Sequence, residues 1–346
     1  MTRSTKLFAI ATIGCLLFFL IFYFLLKMKL SAEPVEAFTR YPAKAYPELL
    51  FQHDVTEDIF DISGCDSTGI YLRTSKPGKF IKAPFQGDSI EIIDCATVNP
   101  YFSTNKFHSH YLEGEMFFIA TKAHNDFNHV LINNEPICHE VTLPNAISRT
   151  LLLKNDILIA RGISGAGKTQ TLQKINLKDG AALQEYSFHD DYQDAGLLQD
   201  GVFSYDPYTS TITYAFLYQN GFLSLDTNLK LKYAAKTIDQ REGIGARVTK
   251  TGSAYTYEGV PERVTSMTTA FKGTLYIGSN IYASNDSLAS GSGMLPIDTY
   301  ALTTGQYKGS FYLKQDKGER IRKILIHSDL LLACTRTKII MYRLVH

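Results

Sequence analysis

From residue 48 onward the chain repeats one short shape, a strand end of alternating character closed by a tight turn. It occurs as Val130-Leu-Ile-Asn-Asn-Glu135, Ile175-Asn-Leu-Lys-Asp-Gly180, Leu223-Ser-Leu-Asp-Thr-Asn228 and Tyr300-Ala-Leu-Thr-Thr-Gly305. A period of two gives a strand with one apolar and one polar face. Lys-Asp-Gly, Asp-Thr-Asn and Thr-Thr-Gly then supply the Gly or Asn that a tight hairpin needs at positive φ. Upstream of these shapes lie more apolar runs, among them Gly69-Ile-Tyr-Leu72, Asp156-Ile-Leu-Ile-Ala160, Thr274-Leu-Tyr-Ile-Gly278 and Asp329-Leu-Leu-Leu-Ala333. These read as strands buried on both faces. No amphipathic helix of useful length interrupts them.

Six such units, spaced ~40–60 residues apart, match the blade period of an all-β, six-bladed β-propeller. The last unit stops at Ile339-Ile-Met-Tyr-Arg-Leu-Val345 without a fourth strand, and Glu48-Leu-Leu-Phe-Gln-His53 is a strand without a unit of its own. Pairing the two closes the ring and removes a free sheet edge. The expected domain is therefore 48–346, with an insertion at 239–262 between the fourth and fifth units and a second long loop at 282–293.

Composition narrows the type of propeller. The chain has 21 Tyr and 21 Phe but no Trp. WD40, kelch, YWTD and quinone-cofactor propellers lean on Trp, so none of these fits. The unit shape over residues 48–346, with Asp200-Gly-Val-Phe203 and Leu225-Asp-Thr-Asn-Leu229, resembles the looser six-bladed class that includes NHL-like and TolB-like propellers. It most resembles uncharacterised membrane-anchored propellers of Bacteroidota-type bacteria. That resemblance implies a fold more firmly than an activity.

Residues 7–26, LFAIATIGCLLFFLIFYFLL, carry no charge. At ~1.5 Å rise per residue a helix of this length covers ~30 Å, the thickness of a bilayer core. A cleaved signal peptide has a shorter apolar run ending in a small-residue site. Here Lys27 and Lys29 separate the run from the poor site Leu30-Ser-Ala32. A lipoprotein reading at Cys15 fails because Leu-Leu-Phe-Phe follows it. The expectation is an uncleaved anchor (1–30), a stalk (31–47) carrying three prolines and two glutamates, and a periplasmic domain. Basic flanks of Arg3 and Lys6 against Lys27 and Lys29 balance each other, so they set no orientation. Cys65, Cys95, Cys138 and Cys334 lack metal-type spacing and permit three pairings.

Three sets of residues could carry chemistry. Gly162-Ile-Ser-Gly-Ala-Gly167-Lys168-Thr169 satisfies the phosphate-loop pattern, in which backbone amides and Lys hold phosphate at a helix start. The residues that follow, Gln-Thr-Leu-Gln-Lys-Ile-Asn-Leu, read as a strand, so a Gly-rich hairpin loop is the better reading than nucleotide binding at Gly162, Gly167, Lys168 and Thr169. His108 and His110 lie two apart, share one strand face and could reach one metal. Asp200, Asp206, Tyr218 and Asn220 belong to an acidic, aromatic fourth unit and could line a ligand site at the channel mouth.

GxSxG, HExxH, a paired His-Cys arrangement and an Asp-box repeat are absent, and the sequence identifies no particular cofactor. With 35 Lys+Arg against 34 Asp+Glu, net charge gives no reason to expect nucleic acid. The expected function is a membrane-anchored binding or scaffold module taking a protein partner or small ligand at the propeller face. The alternatives are a propeller lyase or hydrolase with its site at the channel mouth, and nucleotide binding at 162–169.

Overall fold

Antiparallel hairpins dominate the chain because its strand runs are short and many are joined by turns of two to four residues. The computed structural model describes residues 14, 17–20 and 23, and residues 38–345 except 77–78, 86–89, 95–106, 113–114, 121–127, 135–136, 144–146, 164–169, 189–195, 240–246, 253 and 287–292. Two compact units separate, Met1–Ala37 and Phe38–His346. The larger begins before residue 48, so part of the expected stalk belongs to the folded domain.

The first strand of that domain, β1 (Tyr46–Asp54), is followed by sheet A: β2 (Ile59–Cys65), β3 (Gly69–Thr74), β4 (Lys79–Pro84) and β5 (Glu91–Asp94). Two hairpins come next, β6 (Phe107–Leu112) with β7 (Glu115–Ala120), and β8 (Asn128–Asn134) with β9 (Ile137–Leu143). Sheet B contains β10 (Ile147–Leu153), β11 (Ile157–Ile163), β12 (Gln170–Asn176) and β13 (Ala182–Ser187). Sheet C contains β14 (Gly201–Asp206), β15 (Thr211–Phe216), β16 (Phe222–Asp226) and β17 (Leu231–Ala235). An extra hairpin, β18 (Val248–Thr251) with β19 (Ala254–Tyr257), falls within 239–262. Sheet D contains β20 (Thr265–Phe271), β21 (Thr274–Ser279), β22 (Met294–Ala301) and β23 (Tyr307–Lys314). Sheet E contains β24 (Lys323–His327), β25 (Leu330–Cys334) and β26 (Lys338–Val345), with β1 as its fourth strand. Tyr46 faces Val345 and Asp54 faces Lys338 in the β1–β26 ladder.

The fold is a β-propeller. Each sheet presses its apolar face on the next: A on E through Ile70, Leu72 and Met341, E on D through Leu331 and Ile297, D on C through Leu275 and Phe222, and C on B through Ile212 and Leu172. Sheet B packs on Val141 and Leu143 of β9. A fully buried Leu or Ile contributes ~1.5–3 kcal/mol, whereas an exposed ion pair contributes ~0–1 kcal/mol. The ring is therefore held by these aliphatic contacts between sheets.

Five four-stranded sheets are present among the described residues, not the expected six. The second unit forms two separate ladders, β6–β7 and β8–β9. No ladder joins β7 to β8 among the described residues, so the two hairpins are not one sheet.

No helix among the described residues is long and apolar enough to cross a membrane. Most of the expected anchor, 7–26, lies outside them.

Candidate functional site

The ladders alternate in direction, so the start of each inner strand and the end of the strand beside it share one face of the ring. On this face the strand ends flank 95–106, 164–169, 189–195, 240–246 and 287–292, whereas the opposite face carries short turns such as 154–156, 207–210, 272–273 and 328–329. Long connections on a rigid scaffold are where propellers place binding groups.

Three charged side chains meet here at the junction of sheets B and C. Asp200, just before β14, accepts from Arg149 of β10 through Nε at 3.2 Å and Nη2 at 2.8 Å. This two-bond fork fixes both groups. Arg161 of β11 stands 3.7 Å from the same carboxylate. It donates to Ser148 Oγ at 3.0 Å and to the Gly196 carbonyl at 2.7 Å. Two guanidiniums on one carboxylate leave a local positive charge. Burial works to lower the Arg149 pKa, but the hydrogen bond and charge of Asp200 raise it above the ordinary value.

The extra hairpin is tied to this group. Tyr257 of β19 donates to the Leu197 carbonyl at 2.8 Å, and its ring lies 5.3 Å from that of Tyr218. Tyr214, fully buried below, donates to the Gln199 carbonyl at 2.8 Å. Burial raises the pKa of both Tyr214 and Tyr257, with Tyr218 adding to the second. These phenols stay protonated at neutral pH and serve as donors, not as bases. Two further donors, Arg161 Nε and Asn220 Nδ2, are buried and lack a partner among the described residues. The arrangement can recognise an acceptor group, with aromatic rings beside it.

Of the predicted ligand residues, Asp200, Tyr218 and Asn220 gather on this face, where Leu217 N donates to the Asp200 carbonyl at 2.8 Å. Asp206 does not. It ends the six-residue strand that starts after Asp200, ~17–20 Å away by strand rise. It is fully buried and caps turns on the opposite face, accepting from Tyr208 N, Lys272 N and Gly273 N.

His108 and His110 lie on β6 opposite Ile119 and Phe117. His110 Nε2 is 2.8 Å from Thr150 Oγ1. No cluster of three metal-ligating side chains occurs among the described residues. Gly162 is a buried residue of β11 paired with Thr171. Gly167, Lys168 and Thr169 lie outside the described residues, and the chain resumes at once as strand β12, not as a helix. Cys65 and Cys334 are free thiols.

Sequence reading missed Arg149, Arg161 and Tyr257. The available signal was Arg161 itself, a charge placed directly after the apolar run Ile157-Leu-Ile-Ala160.

No protein-family model matches the chain, and no curated protein matches it. Solved structures similar to it include virginiamycin B lyase from Staphylococcus aureus, with a TM-score of 0.51, 12% identity, and coverage of 86% of this chain and 100% of that one. Another is a protein of unknown function from Bacteroides thetaiotaomicron, with a TM-score of 0.48, 8% identity, and coverage of 90% and 74%. A third is YCF48 bound to D1 peptide, with a TM-score of 0.46, 12% identity, and coverage of 92% and 100%. At these identities the likeness is one of fold alone.

Proposed function

We propose that this propeller is a membrane-anchored, extracytoplasmic binding module that takes a protein segment or small ligand on its loop-bearing face. The observation that carries this reading is the pair of buried donors that lack a partner among the described residues, Arg161 Nε and Asn220 Nδ2, on the face that carries the Arg149–Asp200 fork. A buried donor left unpaired costs ~1–3 kcal/mol, and a bound acceptor removes that cost. The raised phenol pKa values of Tyr214 and Tyr257 favour recognition over proton transfer at neutral pH.

The anchor is the uncharged run 7–26, long enough for a single span, with the propeller on the periplasmic side. The paired hairpins β6–β7 and β8–β9 stand in for a sixth blade. Support for this comes from β6, which lies beside β2 on one side and β10 on the other, with β7 next to β8.

The test is affinity isolation of the full chain from its own membranes, with partners quantified for wild type, Tyr257→Ala, Arg149→Met and Asp179→Ala. Asp179 lies in a turn on the opposite face. The first two variants are expected to lose a partner set that Asp179→Ala keeps. Identical sets in all four overturn the assigned face. Deletion of 7–26 is expected to move the chain from the carbonate-washed membrane pellet to the supernatant, and retention in the pellet overturns the anchor.

A further inference from the structure

Two neighbouring junctions on the short-turn face end their inner strands in different residues, Asp206 and Phe271, and a cavity lies at the second. Between sheets C and D, Asp206 sends its carboxylate across to the inner turn of the next sheet. Oδ1 accepts from Lys272 N at 3.1 Å and Oδ2 from Gly273 N at 2.7 Å. At the next junction, between D and E, the residue in the same register is Phe271. Asp206 ends β14 opposite Thr211, as Phe271 ends β20 opposite Thr274. The inner turn of sheet E, Ser328-Asp329, therefore receives no carboxylate. Neither of its backbone amides has a hydrogen-bond acceptor among the described residues.

A cavity of about 380 Å³ opens at this place, lined by Lys272, Lys308, Thr274 and the turn itself, over an apolar floor that includes Phe271, Ile326 and Leu344. Its size is at the lower end of the ~300–1,000 Å³ typical of ligand pockets. Lys308 Nζ donates to Thr274 Oγ1 at 3.0 Å. Lys272 Nζ stands 5.4 Å from the Tyr208 ring and 5.3 Å from the Phe271 ring. Neither lysine has a carboxylate partner among the described residues. The one acidic lining residue, Asp329, pairs with Arg343 at 3.5 Å. The balance of charge at the cavity is positive, and its floor is apolar.

We propose that this cavity binds a small organic carboxylate with a short apolar body. The ligand's carboxylate takes, at the D–E junction, the place that the Asp206 carboxylate takes at the C–D junction. The internal repeat of the fold thus supplies its own template for the missing group. The site lies on the face opposite Arg149 and Asp200, so it does not depend on the function proposed above.

The experiment is calorimetric titration of the purified full chain with hexanoate, using hexanamide as the neutral isostere and inorganic phosphate as a second anion. Saturable hexanoate binding is expected, weaker by roughly tenfold or more for hexanamide and for the Lys272→Met and Lys308→Met variants. Phe271→Asp places a carboxylate at the strand end, and is expected to raise Tm and abolish hexanoate binding. The two lysines are exposed, so their variants carry the test even if Phe271→Asp does not fold. Absence of saturable hexanoate binding up to about 10 mM, binding unchanged in both lysine variants, or phosphate binding as tightly as hexanoate would each overturn the proposal.

Discussion

Asp66 and Asp206 solve the same problem at two junctions: each caps its own turn and reaches across to the unit that follows. The Asp66 carboxylate accepts from Thr68 N at 2.7 Å, Gly69 N at 3.0 Å, Tyr71 Oη at 3.0 Å and Tyr111 Oη at 2.7 Å. Burial opposes its charge, but the hydrogen bonds from Tyr111 and Thr68 win and hold its pKa well below the usual carboxylate range. Burial, with Tyr71 and Asp66 beside it, pushes the Tyr111 phenol up. Because the folded pKa of Asp66 is depressed, its contribution is present above the unfolded value of ~3.9 and is lost as pH falls toward the folded value. Asp66→Asn is therefore expected to cost about 1–3 kcal/mol at pH 7, a deficit that shrinks below about pH 4; urea melts of both proteins at pH 7, 4 and 3 check it. The turn role of Asp66 is legible in Asp-Ser-Thr-Gly. Its bond to Tyr111 is not, since 45 residues separate the two.

At the scale of elements, the segment read as stalk is partly a clasp. Arg40 is buried, forks onto Asp298 at 2.7 and 3.1 Å, and also pairs with Asp286. Burial lowers its pKa, but the hydrogen bond and charge of Asp298, then the charge of Asp286, raise it. Tyr312 and Ser310 complete the two carboxylates, each at 2.5 Å. Ala43 N donates to the Ser310 carbonyl at 2.9 Å, so the strap runs along the edge of β23. Gly309, at φ +126°, permits this crossing: a Cβ there would lie 2.7 Å from the Pro42 oxygen. Arg40→Met strands two buried carboxylates and is expected to cost about 3–5 kcal/mol. Adding Asp286→Asn and Asp298→Asn should recover most of that loss, as read by denaturant midpoints. Three prolines in 31–47 suggested an extended linker. The composition of that segment says nothing about acceptors more than 240 residues away.

For the whole molecule, ring closure rests on β1 lying along β26, which covers an edge that would otherwise pair with another chain. Deleting residues 1–54 is expected to give aggregation in size-exclusion chromatography and no cooperative thermal transition. Deleting only 1–37, the separate unit, should preserve a cooperative transition. The all-β class, the turn positions and the place of the extra hairpin were legible in residues 48–346, because period-two alternation and turn chemistry are local properties. The split of residues 107–143 into two ladders was not, because alternation within a strand does not specify which neighbouring strand takes its backbone hydrogen bonds. The candidate site was half legible: Asp200, Tyr218 and Asn220 came from composition, whereas Asp206, placed with them by the same reading, belongs to the opposite face. By itself the sequence determined strand, turn and the repeat that forces a ring. Tertiary structure decided which charges meet, Arg149 with Asp200 and Arg40 with Asp286 and Asp298. It also decided that the D–E junction holds Phe271 where the C–D junction holds Asp206. The physical reason is that a strand's periodicity is set by its own residues, while a junction's chemistry depends on two strands brought together only by closure of the ring.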